Sequence, residues 1–249
     1  MNNHFKGTLA VAQRILASVR GDRRTIGIVV GAPVLIIFLF AEVFEQFDSP
    51  FVGKSTIAPI ILGVFVFFLT YLLTAIGFLR ERQAGTFERV LASPISRNAI
   101  VLGYVLGYGV VATVQSIVLL LAGLYFLEIE FEHGIVFFFG LELLGAMTAL
   151  GIGIVLSLFA RNEFQVIQFI PVVITPQVIL GDVFVPIEDL PVYLEIPARV
   201  MPITYLIKGM EYVVLDQGEA SDLWLSVGVL VGFAVASVLV AGLGVRRTR

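Results

Sequence analysis

The residues that come nearest to a nucleotide-binding motif are Gly53, Lys54 and Ser55, which match the end of a phosphate-binding loop. Such a loop also needs a glycine five residues before Gly53, because that glycine starts the turn around the phosphate. Asp48 stands at this position instead. We interpret the match as coincidental, and we expect no nucleotide or other cofactor to be bound by this chain.

Other signatures of catalytic chemistry are missing from the sequence. The chain has no cysteine, which excludes disulfides, thiolate metal sites and cysteine nucleophiles. Neither the Gly-x-Ser-x-Gly motif of hydrolases nor the His-Glu-x-x-His motif of zinc proteases occurs. His4 and His133 lie far apart, so we expect plain surface residues without a metal ion. The sequence therefore predicts no catalytic or metal-binding residues.

Glu142 is the acidic residue that falls most clearly inside a long apolar segment. It lies seven residues into that segment, which is a depth of about 10 Å at 1.5 Å per residue. Ionisable groups inside a membrane are costly and therefore candidates for function. A proton relay, a substrate contact and a neutral, hydrogen-bonded structural role all remain open for Glu142.

The fifth apolar segment combines neutral polar side chains with Pro171 and Pro176. Its polar residues include Gln168, Thr175 and Gln177. Such groups beside proline bends suit a helix that lines a wet or substrate pathway. They could equally form hydrogen bonds between helices, and both interpretations remain open.

The composition indicates whether this chain folds in water or in a lipid bilayer. Hydrophobic residues make up 58% of the sequence and charged residues 14%, whereas soluble domains contain about 45–50% and about 25%. One globular core of this size cannot bury that excess. The net charge of −3 gives no reason to expect a nucleic acid partner. We therefore predict an all-α integral membrane protein in contact with the lipid bilayer.

The apolar runs predict six transmembrane helices, since each approaches the roughly 20 residues that a span needs. They cover residues 25–44, 57–79, 100–127, 135–160, 164–180 and 223–245. With the N-terminus inside, all lysines and arginines except Lys54, Arg199 and Lys208 fall on the cytoplasmic side. We therefore expect a multi-pass protein of the cell membrane with both termini in the cytoplasm.

The segment before the first span has its own periodicity. Phe5, Leu9, Ala12, Leu16 and Val19 recur at helical spacing, and charged residues fall largely off this stripe. The pattern predicts an amphipathic helix in the cytoplasmic interface. An ordinary basic flank of the first span is the alternative.

The glycines of two spans are also patterned. Gly103 and Gly107 form one small-xxx-small pair, and Gly228 and Gly232 form another. Such pairs permit close contact between helices.

The cytoplasmic loop 80–98 predicts a short amphipathic helix. Thr86 can cap it, Glu88 suits its positive end, and Pro94 stops it. Its apolar face consists of Phe87, Val90 and Leu91. The helix could dock a soluble partner or lie along the membrane surface.

Residues 181–222 form the largest stretch between spans, on the predicted outer side. The stretch is acidic and rich in proline, with short apolar runs. We expect short helices that fold onto the outer face and cap the bundle.

Two motifs resemble a known family, the permease subunits of ABC-2 type transporters. The first is RERQAGTFERVLASPISRNAIVLGYVLG, which enters the third span. The second is ILGDVFVPIEDLPVYLEIPARVMPITYLIKGMEYV, which precedes the last span. Met201 departs from the family, which most often has asparagine before this proline. The resemblance covers nearly the whole chain.

The resemblance implies one transmembrane domain over residues 1–249. Its parts would be an interfacial helix (1–24), spans one to five (25–180), an extracellular gate region (181–222), and the last span with its tail (223–249). Two permeases, either two copies or two paralogues, would pair around the substrate path. Separate ABC ATP-binding subunits would hold ATP and Mg, so that this chain itself is not an enzyme.

The resemblance also implies roles for single residues, in a transporter that works as an exporter. The residues that would couple to the ATPase are Thr86, Phe87, Glu88, Arg89, Val90 and Leu91. Spans one, two and five would line the path. Its predicted path and gate residues are Gln168, Thr175, Gln177, Phe184 and Pro186, with Glu142 as a further candidate.

Two other classes of function are alternatives to this one. A secondary, ion-coupled transporter would favour internal repeats and several charges within the spans. A membrane-embedded enzyme would favour clustered catalytic groups at one depth. The sequence shows neither pattern. Its smoothly apolar spans favour a hydrophobic or amphipathic cargo.

Overall fold

The computed structural model describes residues 2–46 and 54–247. Gly53, the first residue of the fragment that resembles a phosphate-binding loop, lies outside the described residues. The last two residues of the tail also lie outside them. The described residues form helices only, apart from turns and short connections. The helices are α1 Asn2–Gly21, α2 Arg23–Glu45, α3 Lys54–Gln83, α4 Thr86–Leu91, α5 Arg97–Phe126, α6 Ile135–Ser157, α7 Glu163–Gln168, α8 Thr175–Leu180, α9 Val192–Val200, α10 Pro202–Leu215 and α11 Ala220–Arg247.

The described helices contain the six candidate membrane spans that the sequence predicted. By length and composition they are Arg23–Glu45, Thr56–Gln83, Arg97–Phe126, Ile135–Ser157, Glu163–Leu180 and Ala220–Gly244. The all-α integral membrane fold is therefore confirmed. Helix α3 extends beyond the predicted apolar run to Gln83, and α5 begins three residues before its run, at Arg97. The extension of α3 carries Glu81, a residue of the candidate site.

Helix α1 packs closely against α5 through two glycines. A Cβ atom at Gly103 would lie 2.5 Å from Cβ of Val11, and one at Gly107 would lie 2.9 Å from Cβ of Ile15. Only a residue without a side chain leaves room for α1 at this distance. The predicted close helix contact of this glycine pair is thus confirmed within the chain. Gly228 and Gly232, by contrast, face open space.

The buried face of α1 differs from the predicted stripe. Thr8, Val11, Ala12 and Ile15 are buried, whereas Phe5 is 70% exposed. Leu9 is exposed as well. The close approach to the glycines of α5 determines which face of α1 is buried. That face is rotated about the helix axis relative to the apolar stripe that the sequence predicted. Phe5 and Leu9 therefore lie on the exposed face of α1.

The centre of the bundle lies between α3, α6, α10 and α11. Gly153 of α6 packs against Tyr71 and Thr74 of α3, and Gly145 packs against Leu206 of α10. Thr148 donates a hydrogen bond of 3.2 Å to the carbonyl of Leu230 in α11. Helix α10 is therefore a buried core element, which goes beyond the predicted cap on the outer face.

The fifth span is interrupted. Its two helices, α7 and α8, are joined by a π-helical turn at Ile170–Ile174. Pro171 and Pro176 lack the backbone N–H that a regular helix needs, which accounts for the irregular turn. The hydroxyl of Tyr71 donates a hydrogen bond of 3.0 Å to the carbonyl of Val166, so α3 holds the first part of this span.

Candidate functional site

Helix α4 lies at the end of the bundle where α3 ends and α5 begins, and it starts directly after Gly85. Gly85 has φ 67°, a conformation that glycine adopts at little cost. Thr86 was predicted to cap this helix, and that prediction was wrong. Its hydroxyl is 2.8 Å from the carbonyl of Glu81 and 2.8 Å from Oε2 of the same residue. The side chain is thus turned towards α3, which leaves Gly85 as the N-cap without a side-chain hydrogen bond.

Phe87 anchors α4 to the membrane helices. Its side chain is 1% exposed. The ring lies 5.1 Å from the ring of Phe78 in α3 and 5.9 Å from that of Tyr104 in α5, centre to centre. Both contacts are edge-to-face, a favourable geometry for aromatic pairs.

The other residues of α4 that were predicted to couple to the ATPase fall into a half-buried group and an exposed group. Val90 and Leu91 are half-buried, whereas Glu88 and Arg89 are exposed. The helix therefore presents a charged surface while an aromatic anchor fixes its other face.

Glu81 connects four helices at this end of the bundle. Its carboxylate lies 2.6 Å from Nη2 of Arg14 in α1 and 3.3 Å from the hydroxyl of Tyr104 in α5. It also accepts the hydrogen bond from Thr86 of α4. Arg14 donates a further bond of 2.8 Å to the hydroxyl of Tyr104. We call these four residues the Glu81 network.

The Glu81 network is shielded from water. The side chains of Glu81 and Arg14 are only 12% and 32% exposed. Hydrogen bonds to charged groups are stronger than neutral ones, and partial burial reduces screening of the pair. Sequence reasoning missed the network because Arg14 and Glu81 are far apart in the chain and show no common periodicity.

The C-terminal end of α3 also holds the turn before the fifth span. Arg80 pairs with Glu163 at 2.6 Å. Arg82 donates a hydrogen bond of 2.6 Å to the carbonyl of Ser157, and Gln83 donates one of 3.0 Å to the carbonyl of Arg161. The end of α3 is therefore joined by direct contacts to the end of α6, to the connection that follows it and to the first residue of α7.

The predicted path residues of the fifth span point in different directions. Gln168 and Thr175 are exposed, so they are available to a pathway at this surface. Gln177 is buried, and its amide donates a hydrogen bond of 3.0 Å to the carbonyl of Val173. This bond lies within the fifth span, so Gln177 does not form the predicted hydrogen bond between helices through its amide N–H. The role of Gln168 and Thr175 in a pathway stays a prediction.

Glu142 is buried in the bundle, away from the exposed surface of the fifth span. Among the described residues, neither oxygen of its carboxyl group has a hydrogen-bond partner. The structure does not bring Glu142 together with Gln168 and Thr175. An unpartnered carboxyl group in an apolar surrounding is costly, so its position remains a candidate for function.

The predicted gate residues Phe184 and Pro186 are exposed beside a cluster of charges. Lys208 lies 3.1 Å from Asp182 and 3.4 Å from Glu188. Asp182 adopts φ 67° and accepts a hydrogen bond of 3.0 Å from the backbone N–H of Ile187. These contacts fix the connection between α8 and α10 at which Phe184 and Pro186 are exposed.

Glu211 of α10 faces the same cluster. Burial, together with the nearby charge of Asp182, raises the pKa of Glu211 to about 7, although Lys208 acts in the opposite direction. The folded protein therefore holds a proton that the unfolded chain releases near the ordinary value of 4.5. The contribution of this group to stability is fully present below that value and is lost as pH rises through about 7.

We expect Glu211→Gln to stabilise the protein above pH 7 and to change little at pH 5. The amide cannot ionise, so it avoids the cost of a buried charge. Thermal unfolding in detergent at pH 5 and pH 8 should show a midpoint higher by a few degrees at pH 8 alone. Glu219→Gln, an exposed residue of the same outer region, is the control. An equal gain at both pH values would contradict the titration of Glu211.

Both histidines have partners, although the sequence suggested plain surface residues. Nδ1 of His4 lies 2.7 Å from the hydroxyl of Ser96, the residue that caps α5. Nε2 of His133 lies 2.6 Å from Asp216, and its ring stacks on Tyr212 at 4.3 Å. They fasten α1 to α5 at one end and the α5–α6 connection to α10 at the other.

The chain matches a model of one protein family over most of its length. The family is described as ABC-2 type transporter, and the match covers residues 7–215. The residues of α4, the Glu81 network and the predicted gate residues Phe184 and Pro186 lie within this match, whereas the gate region 181–222 extends beyond its end.

Several curated proteins are similar to the chain. The probable multidrug ABC transporter permease YbhR of Escherichia coli is 22% identical over 173 residues, which cover 70% of this chain and 47% of YbhR. The inner membrane transport permease YadH of the same species is 26% identical over 225 residues, 87% of each protein.

A further relative is the linearmycin resistance permease protein LnrN of Bacillus subtilis. It is 26% identical over 177 residues, which cover 70% of this chain and 45% of LnrN. The chain thus spans about half the length of YbhR and LnrN.

Proposed function

Because the chain belongs to the ABC-2 type transporter family, we propose that this multi-pass membrane protein is the permease subunit of an ATP-driven exporter. A second permease, identical or paralogous, completes the path, and separate ABC subunits bind ATP and Mg. YbhR and YadH are named as transport permeases, which supports this assignment. YbhR is named as a probable multidrug permease and LnrN as a linearmycin resistance permease, which supports export. The apolar spans of this chain favour a hydrophobic or amphipathic cargo.

The observation that carries the proposal is the construction of α4. Phe87 fixes one face of this helix, and Glu88 and Arg89 are free to contact a soluble partner. ATP-dependent closure of the ATPases then moves α4 as a rigid unit. The Glu81 network and the contacts of Arg80 carry that movement to α1, α5 and α7.

The proposed path lies at the surface where the fifth span exposes Gln168 and Thr175. Together with the first and second spans, this surface meets the second permease. Phe184 and Pro186 form the outer gate, and Gln177 holds the bend of the fifth span. Glu142 supports the path from within the bundle. The distribution of lysine and arginine supports a cytoplasmic location of both termini and of α4.

Reversing the charges of α4 tests the proposal. Glu88→Arg combined with Arg89→Glu should reduce the Mg-dependent ATP hydrolysis that copurifies with the protein from its own membranes by about tenfold or more, because several charged contacts are lost together. The folded bundle should be unaffected, since both side chains are exposed. Thermal unfolding of the purified protein measures this second point.

A matched control is available on the predicted outer side. Glu195 and Arg199 form an exposed ion pair at 2.8 Å, and reversing both charges there should leave the copurifying ATP hydrolysis unchanged. If no ATP-binding subunit copurifies with the native chain, or if the α4 variant retains it fully, the proposal fails. A secondary transporter or a membrane-embedded enzyme would then be favoured.

A further inference from the structure

A cavity of about 370 Å³ lies within one protomer, between α1, α2, α3 and α5. Its volume falls in the range of small-molecule sites, which begins at about 300 Å³. The fifth span does not contribute to its lining. The cavity shares the first and second spans with the proposed path, but it does not include Gln168 or Thr175 of the fifth span.

The lining changes from polar to apolar along the cavity. Ser18, Asp22 and Glu81 lie at the cytoplasmic mouth, and Leu69, Leu72 and Leu73 line the part that lies deeper in the membrane. Leu69 and Glu81 are twelve residues apart on α3, which corresponds to about 18 Å at 1.5 Å per residue. The cavity is thus long enough for an extended chain with a polar head at the cytoplasmic mouth.

Gln115 marks the deep end of the cavity. Its side chain is 2% exposed, and its carbonyl oxygen has no hydrogen-bond partner among the described residues. Leaving a buried acceptor unsatisfied costs about 1–3 kcal/mol. A polar atom in this otherwise apolar part of the cavity indicates that a ligand with a hydrogen-bond donor, or water beside a ligand, completes the site.

The charges at the mouth favour a cationic head. The carboxylate of Asp22 accepts hydrogen bonds from Thr25 and from the backbone N–H of Arg24, but it forms no salt bridge with the described residues. Arg80, which also lines the mouth, has its guanidinium directed to Glu163 at 2.6 Å, outside the cavity lining. The charge of Arg80 also acts on Asp22, but Arg80 is itself paired with Glu163. The mouth therefore keeps Asp22 as a carboxylate that has no salt bridge with the described residues.

We propose that this cavity binds one long-chain amphiphile with an ammonium head, with the head beside Asp22 and the chain along Leu69, Leu72 and Leu73. The amphiphile has two possible sources with the same chemistry, an ethanolamine-headed lipid of the inner leaflet and a free long-chain amine. Since Glu81 and Thr86 also line the cavity, the bound amphiphile contacts the Glu81 network. Binding itself does not depend on the proposed exporter function.

The chain has no cysteine, so a single introduced thiol can report on occupancy. Ser18→Cys places the thiol at the exposed mouth, and its reaction with a maleimide is followed in nanodiscs of phosphatidylglycerol. Tetradecylamine should slow this reaction by about tenfold, whereas tetradecanoic acid should not, because the mouth attracts a cation. Gln13→Cys, exposed on the same helix but outside the cavity, is the control thiol.

Two further variants test the position of the head and of the chain. Asp22→Asn should raise the concentration of tetradecylamine that gives half protection by about tenfold, since a charge-assisted contact is lost. Leu72→Trp should fill the cavity and abolish protection. Leu35→Trp, on an exposed face of α2, should retain it and controls for the added indole.

The lipid composition of the nanodisc distinguishes the two sources. If phosphatidylethanolamine itself protects the thiol and tetradecylamine then adds nothing, the occupant is the lipid. If only the free amine protects, the occupant is the amine. Equal protection by tetradecanoic acid, or protection that survives Leu72→Trp, would overturn the proposed site. Because the readout contains no ATPase, failure here is distinguishable from failure of the exporter proposal.

Discussion

Replacing Glu81 with alanine should loosen α1 and α4 at the same time. The carboxylate is the shared acceptor for Arg14 of α1, Thr86 of α4 and Tyr104 of α5. Its loss leaves the guanidinium of Arg14, which is only 32% exposed, with Tyr104 as its remaining partner in the network. Removing one member of a shielded charge pair costs more than the pair itself contributes, because the other charge stays buried.

Hydrogen exchange in nanodiscs measures this effect residue by residue. A loss of about 2 kcal/mol, within the range for hydrogen bonds to charged groups, corresponds to local opening about 30-fold more frequent. We expect the backbone amides of both α1 and α4 to exchange faster, whereas those of α6 should stay protected. Glu132→Ala, at an exposed residue between α5 and α6, should have no effect.

A double-mutant cycle with Arg14→Met separates the pair from the rest of the Glu81 network. If the two residues act through their 2.6 Å contact, the double variant should be less destabilised than the sum of the single variants. Faster exchange in α4 alone, with α1 unchanged, would show that Glu81 holds only Thr86. The proposal that Glu81 links α4 to α1 would then be wrong.

The spans were predictable because the hydrophobicity of a short stretch of sequence is enough to determine whether that stretch lies in water or in lipid. About 20 apolar residues cannot remain in water, and in lipid they must form a helix to satisfy their backbone groups. The prediction for 25–44 therefore differs from the observed Arg23–Glu45 only at its ends. The family motif around Phe87 likewise identified α4, since local sequence determines a short amphipathic helix.

The features that were not predicted depend on contacts between distant residues. The face that α1 buries is decided by Gly103 and Gly107, about 90 residues away, and not by its own strongest stripe. The depth of α10 follows from small residues such as Gly145 on another helix. The Glu81 network joins side chains whose positions no periodicity links. Sequence alone gave the elements of the site but not the connections between them.

Gly103→Val should detach α1 from α5 while leaving the rest of the bundle in place. The new Cβ atom would lie 2.5 Å from Cβ of Val11 and 2.9 Å from the backbone carbonyl of Thr8. A change of rotamer cannot relieve a contact with backbone, so the whole helix must move outward. Inserting such volume into a packed contact costs about 1–3 kcal/mol.

The movement of α1 should also disrupt the Glu81 network. Arg14 follows Val11 by about one helical turn, so its guanidinium would be drawn away from Glu81 and Tyr104. Gly103→Val should therefore reproduce part of the Glu81→Ala phenotype without changing any charge. Limited trypsin digestion detects the change, because Arg14 and Arg20 lie within α1 and become cleavable when the helix separates from α5.

Gly140→Val supplies the matched comparison, since a Cβ atom at Gly140 of α6 would meet nothing within 4 Å. We expect cleavage within α1 to accelerate by about tenfold in Gly103→Val, as a cost near 1.4 kcal/mol implies, and to be unchanged in Gly140→Val. If both variants were cleaved at the native rate, α1 would tolerate the added volume. The 2.5 Å approach would then not be what positions Arg14 beside Glu81, and the α1–α5 contact would have no part in transmitting movement from α4.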